Sequence, residues 1–178
     1  LSIRRQRQMC IRDSVDGTGE GVTGSIVEVI SGNYALSDGA TLTGNTTTGD
    51  GSAINNSANA YLLGGTITAN STTGNGGAIN NAAGANVYLQ NGTITANSAA
   101  AGGAIYSEGT VNIQGTLSVT GNTVTNSFEA ASNLVLAKDG VINVSGAVTG
   151  SAIGVAVQEA NAGRTVVKLG DAVTDVKL

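Results

Sequence analysis

One aliphatic residue between two hydroxyl residues is a pattern that recurs along this chain, as in Thr66-Ile67-Thr68. The copies follow one another at steps of 25, 27 and 25 residues. Because side chains alternate across a strand, each copy predicts a short β-strand with its aliphatic residue inward and its neighbours outward. Short strand-like segments that repeat with a period of this length indicate a solenoid of stacked coils. The four aliphatic residues are Leu42, Ile67, Ile94 and Val119.

A second apolar phrase keeps the same period and centres on an isoleucine that follows alanine. In the best-defined repeat, three short segments at 77–80, 86–90 and 93–96 are separated by Gly, Asn and Ala. They predict three short strands and about 25 residues per coil, and the density of Gly, Asn and Thr opposes helix. The sequence therefore predicts an all-β fold, a parallel β-helix or solenoid. The isoleucines of this phrase are Ile54, Ile79 and Ile105.

Coils that stack place equivalent residues above one another, about 4.7–4.9 Å apart. The pattern thus predicts two inner aliphatic stacks, and a row of asparagines three positions after each residue of the first stack. Stacked amides can hydrogen-bond along the axis as a ladder, and Asn also tolerates the left-handed backbone of a tight bend. A simpler alternative is that these asparagines only serve turns. They are Asn45, Asn70, Asn97 and Asn122.

Composition divides the chain into three parts. Residues 1–14 hold four of the five arginines, the only Cys and the only Met, and residues 4–14 resemble a translated sequencing-adapter read-through. A basic arm or part of a signal peptide are alternatives, although a signal peptide needs an apolar stretch of about 7–15 residues after its charges. We interpret 1–14 as an artefact or a disordered tail. Residues 15–145 are predicted to form the coils, and 146–178 further coils or the start of a following β module.

Charge and hydropathy exclude two kinds of partner. Residues 15–178 carry 4 basic and 11 acidic side chains, a net charge of −7, which disfavours nucleic acid. No apolar stretch approaches the roughly 18 residues of a membrane-spanning helix. Cys10 lies within 1–14, so we expect no disulfide and no thiolate metal site in the remainder. The chain lacks an initial Met and a C-terminal cap, so we expect a fragment whose flanking coils continue the stack.

The repeats resemble a known group of bacterial proteins. Gly-Gly-Ala-Ile at 76–79 and 102–105 alternates with an aliphatic-x-x-Asn phrase at 67–70 and 94–97. Over about 40–145 this is similar to the repeats of polymorphic outer-membrane proteins and related adhesin-like proteins, which carry Phe where this chain has Ile, Leu or Val. The resemblance implies a right-handed parallel β-helix, in agreement with the rule for parallel crossovers. It also implies a bacterial cell-surface or extracellular protein, secreted or outer-membrane associated, such as an adhesin or an autotransporter passenger.

Candidate chemistry is sparse. The absence of His removes imidazole bases, Ser-His and Cys-His nucleophiles and the common zinc sites. Glycoside hydrolysis needs two carboxylates about 5–9.5 Å apart, yet the acids of the repeats are scattered and three adjoin Gly in turns. We predict no catalytic, cofactor-binding or metal-binding residue, and we interpret Asp171 and Asp175 as solvated. The scattered acids are Asp38, Asp50, Glu108, Glu129 and Asp139.

The expected function is a non-catalytic structural rod or binding surface. A grid of outward threonines could contact glycan hydroxyls, or these residues simply suit a strand surface. The expected partners are glycans or surface proteins of a host or the environment. The alternative is a fragment of a carbohydrate-active β-helix enzyme, a polysaccharide lyase or hydrolase, which would need clustered acids and a well-placed Arg or Lys; Arg164 is the one arginine after residue 14. The grid comprises Thr66, Thr68, Thr93 and Thr95.

Overall fold

The computed structural model describes residues 8–11, 15–18, 23–125, 133–150, 153–158, 163 and 165–169, with the backbone alone for 8–11 and 150. Within these residues there is no helix, and parallel sheets stack as a β-solenoid of about 5 turns with roughly 26 residues per turn. The predicted all-β parallel solenoid is confirmed. Accordingly, the described residues include no helix that is long and apolar enough to cross a membrane.

The coils contribute strands to three sheets, which we call A, B and C. Sheet A takes one strand of three residues from each coil, and in the central coils the first and third side chains are buried while the second points outward. Its described strands are β3 (Val27–Val29), β7 (Ile54–Asn56), β11 (Ile79–Asn81), β14 (Ile105–Ser107), β17 (Leu134–Leu136) and β19 (Val155–Val157).

Sheet B forms the longest face of the coil. Some coils cross it as two short strands, and others as one strand of 10 or 11 residues. Its main path consists of β1 (Gln8–Ile11), β4 (Asn33–Leu36), β8 (Asn59–Leu62), β12 (Asn86–Thr95), β15 (Thr110–Thr120), β18 (Val141–Gly150) and β20 (Val167–Leu169). The separate second halves are β2 (Val15–Asp16), β5 (Thr41–Thr43) and β9 (Thr66–Thr68).

Sheet C completes the coil with strands of two residues, and its inward side chains include the buried Thr47 and Thr72. The Thr47 hydroxyl donates to the Thr23 carbonyl at 2.9 Å. The described strands of sheet C are β6 (Thr46–Thr47), β10 (Ser71–Thr72), β13 (Ser98–Ala99) and β16 (Thr123–Val124).

Aliphatic side chains stack on one another in the interior. Ile67 pairs with Leu42 below it and with Ile94 above it, and Ile94 pairs with Val119. All four are 0–1% exposed, and burial of each such side chain contributes about 1.5–3 kcal/mol. Because no coil can bury its inner face alone, this energy becomes available only when neighbours stack. A second buried stack, in sheet A, contains Ile54, Ile79 and Ile105.

The Gly-Gly-Ala-Ile phrase has a steric explanation. Gly76 has a φ of 69°, and a Cβ there would lie 2.3 Å from the carbonyl oxygen of Ile79. A Cβ on Gly77 would lie 2.3 Å from the carbonyl oxygen of Gly103 in the next coil. The first glycine therefore permits a left-handed bend, and the second permits two coils to approach within strand spacing.

The strands predicted for the middle repeat agree only in part with the observed strands. The segments 86–90 and 93–96 are joined in the single strand β12, because Gly92 continues the chain at a φ of 116° and a register shift at Leu89/Asn91 absorbs the irregularity. The third segment of the coil is instead β13, which the sequence did not indicate. Two-residue strands carry too short an alternation to be recognised by pattern.

The outer coils continue the same sheets where they are described. Gln8–Ile11, within the part of the chain that the sequence set apart, pairs in parallel with Asn33–Leu36. After residue 146, β19 pairs with β17 in sheet A, and β20 pairs with β18 in sheet B. The described strands on both sides of the central repeats therefore belong to one stack.

Candidate functional site

The outward face of sheet B carries a row of side chains in which aromatic residues are followed by amides. Alternation turns Leu62, Leu89 and Ile113 inward, so the residue before each of them points outward. Consecutive strands hold these outward residues in register. From one coil to the next, the row contains the buried Ala35, then Tyr61, Tyr88, Asn112, Asn143 and Lys168.

Tyr61 and Tyr88 stack face to face within this row. Their ring centroids are 4.4 Å apart and the rings are inclined by 4°, a spacing close to the distance between neighbouring strands. Burial, the electrostatic effect of Tyr88 and a hydrogen bond with its side chain raise the pKa of Tyr61. The stack fixes the orientation of Tyr88, because one face of its ring is covered by Tyr61.

A cavity of about 250 Å³ opens beside the tyrosine stack. Tyr88 lines it and Tyr61 does not, so the cavity lies on the side of Tyr88 that faces away from Tyr61. The cavity extends over the strands β12, β15 and β18, a span of two strand spacings or about 9–10 Å. We call it the tyrosine groove, and its lining residues are Tyr88, Gln90, Asn112, Gln114 and Ser145.

Hydrogen bonds within the groove hold part of its lining in place and leave other groups unused. The Ser145 hydroxyl donates to Gln114 Oε1 at 3.1 Å, and Asn143 Nδ2 donates to Asn112 Oδ1 at 3.0 Å. Gln114 Nε2 and the whole side-chain amide of Gln90 have no hydrogen-bond partner among the described residues. A primary amide offers two N–H donors and an oxygen acceptor, so the groove presents unused donors on uncharged side chains.

The predicted threonine grid lies on the same face, beyond the tyrosine groove along each strand. Thr66 pairs with Thr93, and Thr68 pairs with Thr95. All four are half-buried, and within the described part of the chain their hydroxyls make no hydrogen bond. The inward Thr47, by contrast, uses its hydroxyl to satisfy a backbone carbonyl. The outward hydroxyls are therefore available to solvent or to a ligand.

The structure places the predicted asparagine row inside the solenoid, at the bend between sheets B and C. Asn70 and Asn97 are 0–1% exposed. Asn70 Nδ2 donates to Asn97 Oδ1 at 3.0 Å, and Asn97 Nδ2 donates to Asn122 Oδ1 at 2.9 Å. Asn45 begins the described row, and its Oδ1 is buried with no partner among the described residues. Neither this row nor the aliphatic stacks line the groove.

A second buried amide row was not predicted from the sequence. Asn56 Nδ2 donates to Asn81 Oδ1 at 2.8 Å, and Asn81 Nδ2 donates to the Ser107 hydroxyl at 3.0 Å. The row lies at the bend between sheets A and B. The signal was present as Ile-Asn-Asn at 54–56 and 79–81. The tyrosine stack was missed as well, although Tyr61 and Tyr88 are 27 residues apart, like Ile67 and Ile94.

The acidic residues that the structure describes do not gather into a site. Asp50 Oδ1 accepts the Asn75 backbone N–H at 2.7 Å, which is a turn contact. Asp38 and Asp139 lie in turns, and Glu108 is half-buried at the start of a bend. The described residues contain no group of three or more His, Cys, Asp or Glu that could hold a metal ion. Four charged residues considered from the sequence lie outside the described residues: Glu129, Arg164, Asp171 and Asp175.

Comparisons of this chain with protein-family models, with curated proteins and with solved structures find no match.

Proposed function

We propose that this chain is a non-catalytic segment of a large secreted or cell-surface bacterial protein of adhesin-like type, in which it acts as a rod that presents a binding face. The observation that carries the proposal is the outward face of sheet B. There, in-register strands hold stacked tyrosines, unpaired amides and unbonded threonine hydroxyls on a continuous surface. The likeness of the repeats to those of polymorphic outer-membrane proteins supports a location outside the cell.

The chemistry of the tyrosine groove also favours binding over catalysis. Tyrosine, glutamine, asparagine and serine line it, with no carboxylate and no cationic side chain. Hydrolysis of a glycosidic bond needs a paired acid and base, and serine without an adjacent base is a weak nucleophile. The groove therefore has groups that recognise a ligand and lacks groups that transform it.

Incubation of the purified chain with neutral and acidic polysaccharides tests the non-catalytic proposal. We expect no new reducing ends and no absorbance from unsaturated uronates, the products of hydrolases and lyases respectively. Measurable cleavage of any polysaccharide would contradict the proposal and favour a carbohydrate-active β-helix enzyme.

An antibody raised against the chain tests the location. Intact cells that carry the natural gene should be labelled without permeabilisation, or the antigen should appear in the culture medium. Labelling only after permeabilisation would contradict a surface or secreted protein.

A further inference from the structure

We propose that the tyrosine groove binds a short, uncharged oligosaccharide, which lies along the solenoid axis from Tyr88 towards Ser145. This inference rests on the proposed function of an external binding face, and it assigns that face a ligand class. Four features support it: the half-buried ring of Tyr88 at the groove, the unused amides, the size of the groove and its lack of charge.

The ring of Tyr88 supplies the apolar contact that a sugar needs. A pyranose ring has C–H groups on its faces and hydroxyls around its rim, so it is matched by a flat aromatic surface with polar groups nearby. Tyr61 covers one face of Tyr88 at 4.4 Å, which holds the ring at a fixed angle and leaves the other face towards the groove. A ring that is already oriented loses little conformational entropy when a ligand stacks on it.

The amides of Gln90 and Gln114 supply the polar contacts. Gln114 Oε1 is held by the Ser145 hydroxyl at 3.1 Å, which directs Nε2 away from that bond. The side-chain amide of Gln90 has no hydrogen-bond partner among the described residues. Each amide can donate to one sugar hydroxyl and accept from another. Both glutamines directly follow an inward residue of neighbouring strands, Leu89 and Ile113, so their side chains leave the same side of the sheet.

The size and charge of the groove narrow the ligand class. Its volume of about 250 Å³ is below the roughly 300–1,000 Å³ of pockets that enclose a drug-sized molecule, and it spans about 9–10 Å along the axis. These dimensions suit a short ligand that lies along the surface. The lining residues are uncharged, so nothing in the groove compensates a carboxylate or a sulfate. Nucleobases also stack on aromatic rings, but a net charge of −7 over residues 15–178 repels their phosphates.

The test is titration of the whole chain with short oligomers of glucose, mannose, galactose and xylose, and with oligouronates as the charged comparison. Calorimetry measures affinity, and tyrosine fluorescence gives a second signal because the chain contains no Trp. We expect at least one neutral oligomer to bind and to shift the side-chain amide resonances of Gln90 and Gln114. We expect Tyr88→Ala to weaken that binding about tenfold or more, and Gln114→Ala roughly three- to tenfold.

Tyr106→Ala is the matched control, because Tyr106 points outward from sheet A, away from the groove, and its removal should leave affinity unchanged. Circular dichroism of each variant establishes that the sheet remains. The amide shifts in the unaltered chain serve as the measurement if Tyr88→Ala does not fold.

Three results would overturn the inference: no response to any neutral oligomer up to its solubility limit, equal loss of affinity in Tyr88→Ala and Tyr106→Ala, or tighter binding of the uronates. Cleavage of a bound oligomer would instead overturn the proposed function, so the two failures are distinguishable.

Discussion

Asn97 Oδ1 is a buried acceptor that two donors of Asn70, one coil away, share. Both the backbone N–H and the side-chain Nδ2 of Asn70 donate to Asn97 Oδ1, at 3.1 and 3.0 Å. Asn97 Nδ2 in turn contacts the carbonyl oxygens of Ile67 and Thr95 at 3.1 and 3.0 Å. One buried amide thus satisfies polar groups of its own coil and of the preceding one.

Replacement of Asn97 by alanine should therefore be costly. The change leaves a buried backbone N–H and at least one buried carbonyl without partners, each worth about 1–3 kcal/mol. We expect Asn97→Ala to lower the free energy of unfolding in urea by about 3 kcal/mol or more. Asn80→Ala is the matched control, because Asn80 is half-buried on the outward side of sheet A and, among the described residues, its side chain donates only to Asn55 Oδ1, at 2.9 Å. It should cost less than about 1 kcal/mol, and similar losses in the two variants would refute the role of the inner ladder.

Backbone strain at the bend before the asparagine row gives a stabilising substitution. Ala69 and Ala96 both have a φ of 55°, where Gly44 and Gly121 occupy the equivalent positions in other coils. A left-handed residue with a Cβ costs roughly 1–2 kcal/mol, and the greater freedom of glycine in the unfolded chain offsets about 0.4–1 kcal/mol of that. We expect Ala96→Gly to raise the free energy of unfolding by up to about 1 kcal/mol.

The control for this substitution is Ala78→Gly. Ala78 is 0% exposed and does not have a positive φ, so the same change should destabilise by roughly 0.5–1 kcal/mol. Opposite signs for the two variants in thermal unfolding are the expected result. A loss of stability at both positions would show that the left-handed bend is not strained.

Because Tyr34 is buried, we expect the folding stability of the chain to depend on pH in the alkaline range. The side chain is 2% exposed, and its hydroxyl is buried with no partner among the described residues. Burial raises the pKa of Tyr34 well above its ordinary value of 10.0. Above pH 10.0 the unfolded chain releases the Tyr34 hydroxyl proton while the folded chain keeps it. Folding stability therefore falls as pH rises above this value. Tyr34→Phe should remove this part of the alkaline loss.

At neutral pH, Tyr34→Phe should be neutral or stabilising by up to about 1 kcal/mol, because the folded state no longer buries an unsatisfied hydroxyl. Urea unfolding at neutral pH and at roughly pH 11 measures both effects. Tyr106→Phe, on the outward side of sheet A, should show no gain at neutral pH. Clear destabilisation by Tyr34→Phe at neutral pH would mean that the hydroxyl has a partner.

Deletion of one coil tests the stacking itself. Removal of residues 70–96 joins Ala69 to Asn97, which are the equivalents of Ala96 and Asn97 within one coil, so Ile67 should then pack against Val119. We expect β-type circular dichroism to persist and the long axis to shorten by one strand spacing, about 4.7–4.9 Å, in small-angle scattering. Removal of residues 70–82, about half a coil, should abolish the dichroism because it puts every following side chain out of register. Loss of structure in the full-coil deletion would contradict the solenoid repeat.

The tyrosine groove shows where prediction from sequence reached its limit. The aliphatic residue of the first stack and the asparagine after it occur four times each, so their period is visible in the chain. Tyr61 and Tyr88 recur once, and the residues that follow them in the row are Asn112 and Asn143, so the row changes chemistry from coil to coil. A surface feature assembled from unlike residues on different coils has no period to detect. For the same reason, the sequence did not predict a site at Gln90, Gln114 and Ser145.

The sequence by itself determined the architecture, since coils that cannot bury their inner faces alone must stack, and the recurring aliphatic residues set which side chains meet. It also placed the inner asparagines, because their offset from those residues is constant. Tertiary structure decided the rest: the joining of segments 86–90 and 93–96 in the single strand β12, the short strands of sheet C and the face that holds the groove. These depend on the register shift at Leu89/Asn91 and on which side chains neighbouring coils leave uncovered, and such relationships exist only between coils.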